Sequence, residues 1–257
     1  MLDTFYDADL LVLYPAIVVL IVGAVQLGTW IGRRRALRAS GRHDTATLTG
    51  AALGLVALLL GFSFSLALSR YDTRRDLVIE EANAIGSTAN FALMLPAEAR
   101  QPILPLLRDY TSVRIGLGVP FSPLKMQRDI ARSIELQGQL WQQAVALTVA
   151  SPQSLPAYRF VGSLNEMNNI HERRISALRN HVPGEVVFVL IGLAMIGMGF
   201  TGFHAGLAGS RFSIPTLVMA FAVAVVIMLI VDLDRPARGL IHVSAQPLID
   251  AAQGIPP

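Results

Sequence analysis

The chain has 257 residues, of which 53% are hydrophobic and 15% charged, and its mean hydropathy is +0.52. A charged fraction so far below the roughly 25% of soluble domains points to a membrane protein. The absence of Cys excludes disulfides, thiolate metal sites and cysteine nucleophiles. The formal charge of +3 is too small and too dispersed for a nucleic-acid binder.

Leu10 to Ile31 is apolar apart from Tyr14, Gln26 and Thr29, and is long enough to cross a hydrocarbon core of about 30 Å. Acidic residues precede it (Asp3, Asp7, Asp9) and the cluster Arg33, Arg34, Arg35, Arg38 and Arg42 follows it, so it reads as a span and not as a signal peptide. A second span covers Leu48 to Leu68, with Gly50 and Gly54 at a small-xxx-small spacing. No Gly or Pro falls between Phe62 and Ile85, so this helix is expected to run unbroken out of the bilayer into water.

The region from Arg70 to Val182 is polar and reads as helical throughout, in segments 72–95, 102–115, 124–150 and 156–180. Proline pairs (Pro102/Pro105, Pro120/Pro123, Pro152/Pro156) are expected to mark helix starts and turns. Leu164, Met167, His171, Ile175 and Leu178 form one apolar stripe. A Gly-rich third span follows at Glu185 to Ala205. A fourth runs from Ile214 to Val231, with Ser213 as its N-cap, and the tail from Asp232 shows little periodicity. The expected fold class is therefore an all-α integral membrane protein with four transmembrane helices and a helical extramembrane domain between spans 2 and 3. Its parts are 1–69 (transmembrane pair), 70–182 (helical aqueous domain), 183–231 (transmembrane pair) and 232–257 (tail).

On the second span Leu58, Phe62, Ser65 and Ser69 share a face. One reading is a pore wall, with a constriction at Leu58 and Phe62 that gates by dewetting and hydroxyls nearer the mouth. Ordinary packing, with each Ser bonded back to its own helix, is the other. Arg70, Arg74 and Arg75 stand just beyond the membrane boundary. They read as mouth charges that concentrate anions, as lipid-phosphate anchors, or as internal ion-pair partners. Glu80, Glu81 and Asn83 read as a carboxylate ring or, more simply, a solvated helix face. His171 reads as a pH-sensing element or a satisfied interhelical histidine, and Asp232 with Asp234 as an ion-paired helix end. The five His are scattered without metal spacing, so no catalytic residue, metal or cofactor is expected.

Three blocks then carry a resemblance: Gly61 to Gly86; Leu164-Asn165-Glu166 through Arg174; and Asp232-Leu233-Asp234-Arg235-Pro236 with Gly239 to Ser244 and Pro247-Leu248. Together they resemble the bestrophin-like DUF4239 family of membrane proteins. A more distant similarity is to the bestrophins, pentameric anion channels with four spans per subunit and a helical cytosolic domain. Gly61-Phe62 before Ala67, with Arg70-Tyr71-Asp72 beyond, is similar to their second-span run. The paired tryptophans that follow it in bestrophins are absent, with Arg74-Arg75-Asp76 in their place, so neither neck geometry nor calcium regulation is carried over.

The resemblance implies a homo-oligomer, a pentamer in the bestrophin pattern, in contact with membrane lipid and passing ions. It also implies termini and helical domain in the cytosol of a multi-pass cell-membrane protein. Arginine counting discriminates little between orientations, with eight on the domain side against six in the short loops, and leans the same way. High Ala and Arg usage with a single Lys suggests a bacterial source. The function expected is an ion channel, anion-preferring if the arginine set faces the axis. The alternative is a non-conducting scaffold or sensor whose helical domain carries an apolar patch for a partner protein.

Overall fold

The computed structural model describes residues 10–36, 46–117, 122–209, 214–235 and 239–256. The protein is an all-α membrane protein. The expected Ser213 cap, Pro120 and the Arg38–Arg42 end of the basic cluster lie outside the described residues. In chain order the helices are α1 (Leu10–Ala36), α2 (Ala46–Leu93), α3 (Ala97–Ile115), α4 (Pro123–Ala150), α5 (Leu155–Arg179), α6 (Gly184–Leu207), α7 (Ile214–Asp234) and α8 (Gln246–Gln253). Four stretches are long and apolar enough to cross a membrane, in α1, the first half of α2, α6 and α7. The charged second half of α2 and all of α5 lie outside the apolar windows.

The chain folds as two compact units, each made of separated pieces. One takes residues 1–70 and 181–241, the other residues 71–180 and 242–257. The boundary falls inside α2, a single helix of 48 residues, in line with the lack of Gly and Pro between Phe62 and Ile85.

In the first unit α1 and α6 pack at backbone contact. A Cβ on Gly28 would meet the carbonyl of Gly199, one on Gly32 that of Phe203, one on Gly202 that of Val25, and one on Gly206 that of Thr29. Each helix therefore supplies a glycine pair spaced by four, into which the other's backbone fits. The spacing singled out from the sequence, Gly50 with Gly54, meets nothing within 4 Å. A span shows its glycines equally in both cases, and only the partner backbone decides which pair is used. Beyond the α6 cap Ala208, Gly209 has a φ of +79°, the left-handed conformation that glycine adopts without a Cβ penalty.

The second unit is a helical bundle around one core. Ile85 and Ala89 of α2, Ile103 and Leu107 of α3, Leu136 and Leu140 of α4, and Phe160, Leu164 and Met167 of α5 belong to it. Ser122 caps α4, accepting from the Lys125 amide at 3.4 Å, and Ser154 caps α5, accepting from Ala157 at 3.3 Å. A proline in the first turn follows each cap, where its missing N–H costs nothing. The α3 start differs from expectation. The helix begins at Ala97, and Pro102 and Pro105 lie inside it. Both occupy its exposed side, so the carbonyls they leave unbonded face water. The tail also differs: α8 forms from residues without apparent periodicity, and its Leu248, with Ile255, enters the core of this unit.

Candidate functional site

Helical geometry turns the chain by about 100° per residue, which places Leu55, Leu58, Phe62, Ser65 and Ser69 in one stripe along α2. All five are exposed, Leu58 at 56% and Phe62 at 66%, while Val56, Leu60 and Ala67 on the opposite face are buried. The four residues expected to share a face thus do so. In the second unit the same register continues on exposed Thr73, Asp76, Glu80, Asn83 and Ser87. The stripe changes chemistry from branched apolar groups to hydroxyls, then carboxylates and amides.

The three arginines differ in exposure and partner. Arg74, only 3% exposed, points roughly opposite the stripe. Arg70 faces Asp234 at 3.9 Å. Arg75 is exposed about 100° round the helix from Asp76, whose carboxylate its guanidinium reaches at 3.6 Å. Adjacent Arg74 and Arg75 point about 100° apart on the helix, so one is buried and the other exposed, which a cluster reading passes over.

Glu80 and Glu81 also part. Glu80 is on the exposed face and meets Arg173 at 3.1 Å, while Arg173 also reaches Glu166 at 3.4 Å. Glu81 is completely buried, a correction to the solvated-face reading. Its carboxylate accepts from Arg114 Nε at 2.6 Å and Nη2 at 3.4 Å, from the Tyr110 hydroxyl at 3.1 Å, and from Arg174 Nη1. Burial alone would raise the Glu81 pKa, but attraction and hydrogen bonds from the two guanidiniums hold it below the usual carboxylate range. His171, also fully buried, lies 3.2 Å from the Tyr110 oxygen through Nδ1. Since Tyr110 gives its proton to ionised Glu81, the Nδ1–H tautomer of His171 completes the chain. Burial, then repulsion from Arg114, lowers the His171 pKa to about 4 despite Glu81. The Tyr110 hydroxyl is pushed up, first by burial and then by the Glu81 charge. Helices α2, α3 and α5 are thus pinned together by one polar network. Of its five members, the sequence offered only His171 as an interhelical group.

At the end of α7 two carboxylates hold separate strands of chain. Asp232 accepts from the Tyr14 hydroxyl at 2.6 Å and from the amides of Leu240 and Ile241 at 2.8 and 2.9 Å. Asp234 accepts from the Val182 amide at 2.7 Å. Acids at a helix C-terminus oppose its dipole, and these donors offset that cost. Asp234 also faces Arg70 at 3.9 Å, so this end of α7 is ion-paired as expected, and the two carboxylates form a latch joining α1, the start of α6 and the segment after α7. Among the described residues no group of three or more metal-ligating side chains converges.

Comparison with known proteins fits this architecture. Two solved variants of a bacterial bestrophin homologue from Klebsiella pneumoniae are similar in fold. One has a TM-score of 0.68 at 16% identity, covering 91% of this chain and 99% of that one; the other has 0.71 at 15%, covering 94% and 96%. A structure described only as a membrane protein gives 0.70 at 15% identity, covering 93% and 100%. No curated protein sequence matches the chain. The family model of the bestrophin-like domain matches residues 19–248, nearly the whole chain from the first span to α8. Four membrane-length helices, the unbroken α2 and the matched 230-residue stretch (248 − 19 + 1) therefore lead to one assignment: the chain belongs to the bestrophin-like family.

Proposed function

We propose that this protein is a homo-oligomeric ion channel of the cell membrane, a pentamer in the bestrophin pattern, whose pore is lined by the exposed stripe of α2. The observation that carries the reading is the exposure of Leu58 and Phe62 on a single face that continues into hydroxyls and then charges. Large apolar side chains on a membrane helix need no polar partner. A register that turns hydrophilic without changing face suits a wall that ions pass better than a wall facing lipid alone. Leu58 and Phe62 form the neck, where narrowing and dewetting stop conduction, and Ser65 and Ser69 line the wider part beyond. Bestrophins are ion channels and not enzymes, which agrees with this assignment.

The sign of the preferred ion rests on Arg75. Arg74 is buried and Arg70 faces Asp234, so anion attraction by the arginine set reduces to one exposed guanidinium, partly offset by Asp76. Purified protein in liposomes tests both parts. Phe62→Ala raises ion flux several-fold over the parent, and unchanged flux removes Phe62 from the neck. Arg75→Glu moves the reversal potential toward cations, and a fixed potential removes Arg75 from the mouth.

A second reading is a non-conducting scaffold. The observation that favours it is an exposed apolar stripe on α4, and complete absence of flux from a correctly assembled particle would select it.

A further inference from the structure

The carboxylates of the first unit all sit at one end. Among its described residues the acids are Glu185 at the start of α6, and Asp232 and Asp234 at the end of α7, where Asp232 meets Tyr14 early in α1. The other end is basic. Arg33, Arg34 and Arg35 fill the last turn of α1, which holds no acid along its length. Arg33 lies nineteen residues beyond Tyr14, roughly 28 Å along a helix that rises about 1.5 Å per residue. That is close to the roughly 30 Å depth of a hydrocarbon core. The triplet therefore stands at headgroup level, across the bilayer from the latch.

The side chains around the triplet suit that level. Leu27, Trp30 and Ile31 are exposed, so apolar surface reaches to within one turn of the arginines. The Arg34 guanidinium lies 3.7 Å from the centre of the Trp30 ring, one helical turn back on the same face. An indole belongs at the boundary between hydrocarbon and headgroups. Stacking on its face leaves the guanidinium edge to donate in the plane. Arg33 is half-buried and Arg35 exposed, and successive steps of about 100° spread the three cations round more than half of the helix end. α6 runs parallel to α1, since Gly28 meets Gly199 and Gly32 meets Phe203, so the carbonyl ends of two helices favour cations here. With no carboxylate at this level among the described residues, the complement of three guanidiniums is phosphate, which their forks bind through paired hydrogen bonds. At this depth the phosphate is that of a phospholipid. A net negative headgroup answers the charge, whereas a zwitterionic one carries its own cation. We propose that the end of α1 binds acidic phospholipid, with Trp30 against the upper acyl chains and Arg33, Arg34 and Arg35 on the headgroup. This goes beyond the channel reading and holds whether or not the protein conducts.

Trp30 reports its own surroundings once the other Trp of the chain is removed by Trp141→Phe. The full-length variant is placed in nanodiscs of phosphatidylglycerol and phosphatidylcholine, one of the two brominated on its acyl chains near the headgroup. Quenching of Trp30 is then followed as the mixture is varied. Each basic residue beside an anionic surface raises affinity about fivefold, so phosphatidylglycerol should be preferred at Trp30 by about tenfold or more over its share of the bilayer. Arg34→Gln should lower that preference about fivefold. Replacing all three arginines with Gln should bring it to the bulk composition, with an unchanged circular dichroism spectrum. Excess inorganic phosphate at constant ionic strength should leave it in place. Quenching that follows the bulk composition in the Trp141→Phe protein overturns the proposal. A preference that survives the triple replacement also overturns it, because another part of the protein then holds the lipid. One abolished by inorganic phosphate does the same, because the site then takes soluble anions. Absence of quenching by either lipid would mean that protein, such as a second copy, covers Trp30, and overturns the lipid site while leaving the channel reading standing.

Discussion

Glu81 holds two guanidiniums and a phenol in a place that water does not reach, so its charge is worth far more there than on the surface. Glu81→Gln leaves Arg114 and Arg174 buried against a neutral amide, and an uncompensated buried charge costs about 3–5 kcal/mol. Thermal melts of the full-length protein in detergent should show that loss, and a melt within about 1 kcal/mol of the parent would contradict the buried network. The neighbouring His171 sets the acid side of the stability curve. Its folded pKa of about 4 lies below the ordinary 6.5, so the unfolded chain takes up a proton first as pH falls. Stability is fully present above pH 6.5 and is lost progressively towards pH 4, by about 3 kcal/mol at most. Glu81, whose pKa is also depressed, keeps its contribution above the usual carboxylate range and gives it up only below that range. His171→Phe should flatten the limb between pH 6.5 and 4 in the same melts, leaving the steeper fall at lower pH.

At the scale of helices, the α1–α6 contact depends on the absence of side chains. Gly202→Val would drive branched carbons into the Val25 carbonyl, and Gly28→Val into that of Gly199. Either variant should cut the yield of folded protein several-fold and lower its melting temperature, whereas Gly50→Val, which meets nothing, should leave both unchanged. The contrast shows what sequence patterning carries. Periodicity and length disclosed the four spans, the unbroken α2 and the buried stripe on α5, because each is a property of one helix. The shared face of Leu58, Phe62, Ser65 and Ser69 was readable for the same reason. Which glycines meet a backbone, where Arg74 points against Arg75, and why Glu81 is buried beside exposed Glu80 depend on a second helix. Pro102 and Pro105 misled because a proline inside a helix and one at its start look alike until exposure is known. Helix α8 was missed because eight residues give too few turns for a period to emerge.

At the scale of the whole molecule, each unit is assembled from chain segments far apart in sequence. Leu248 brings the end of the described chain into the core built by α2 to α5. Leu248→Ala should cost about 2–5 kcal/mol, as other large-to-small core changes do. The loss should appear in the helical unit, followed by amide exchange at Ile103, Leu107 and Leu140. Protection there equal to the parent's would show that α8 is dispensable.

That arrangement also has a consequence for synthesis. A ribosome makes α2 through α5 early, then two further membrane helices, and only afterwards the segment holding Leu248 and Ile255. Until then the helical unit lacks part of its core and exposes apolar surface. A nascent chain arrested after α7 would thus carry its own mark of incompleteness, open to chaperones and proteases. The order of translation therefore makes α8 a check that α6 and α7 have already been made.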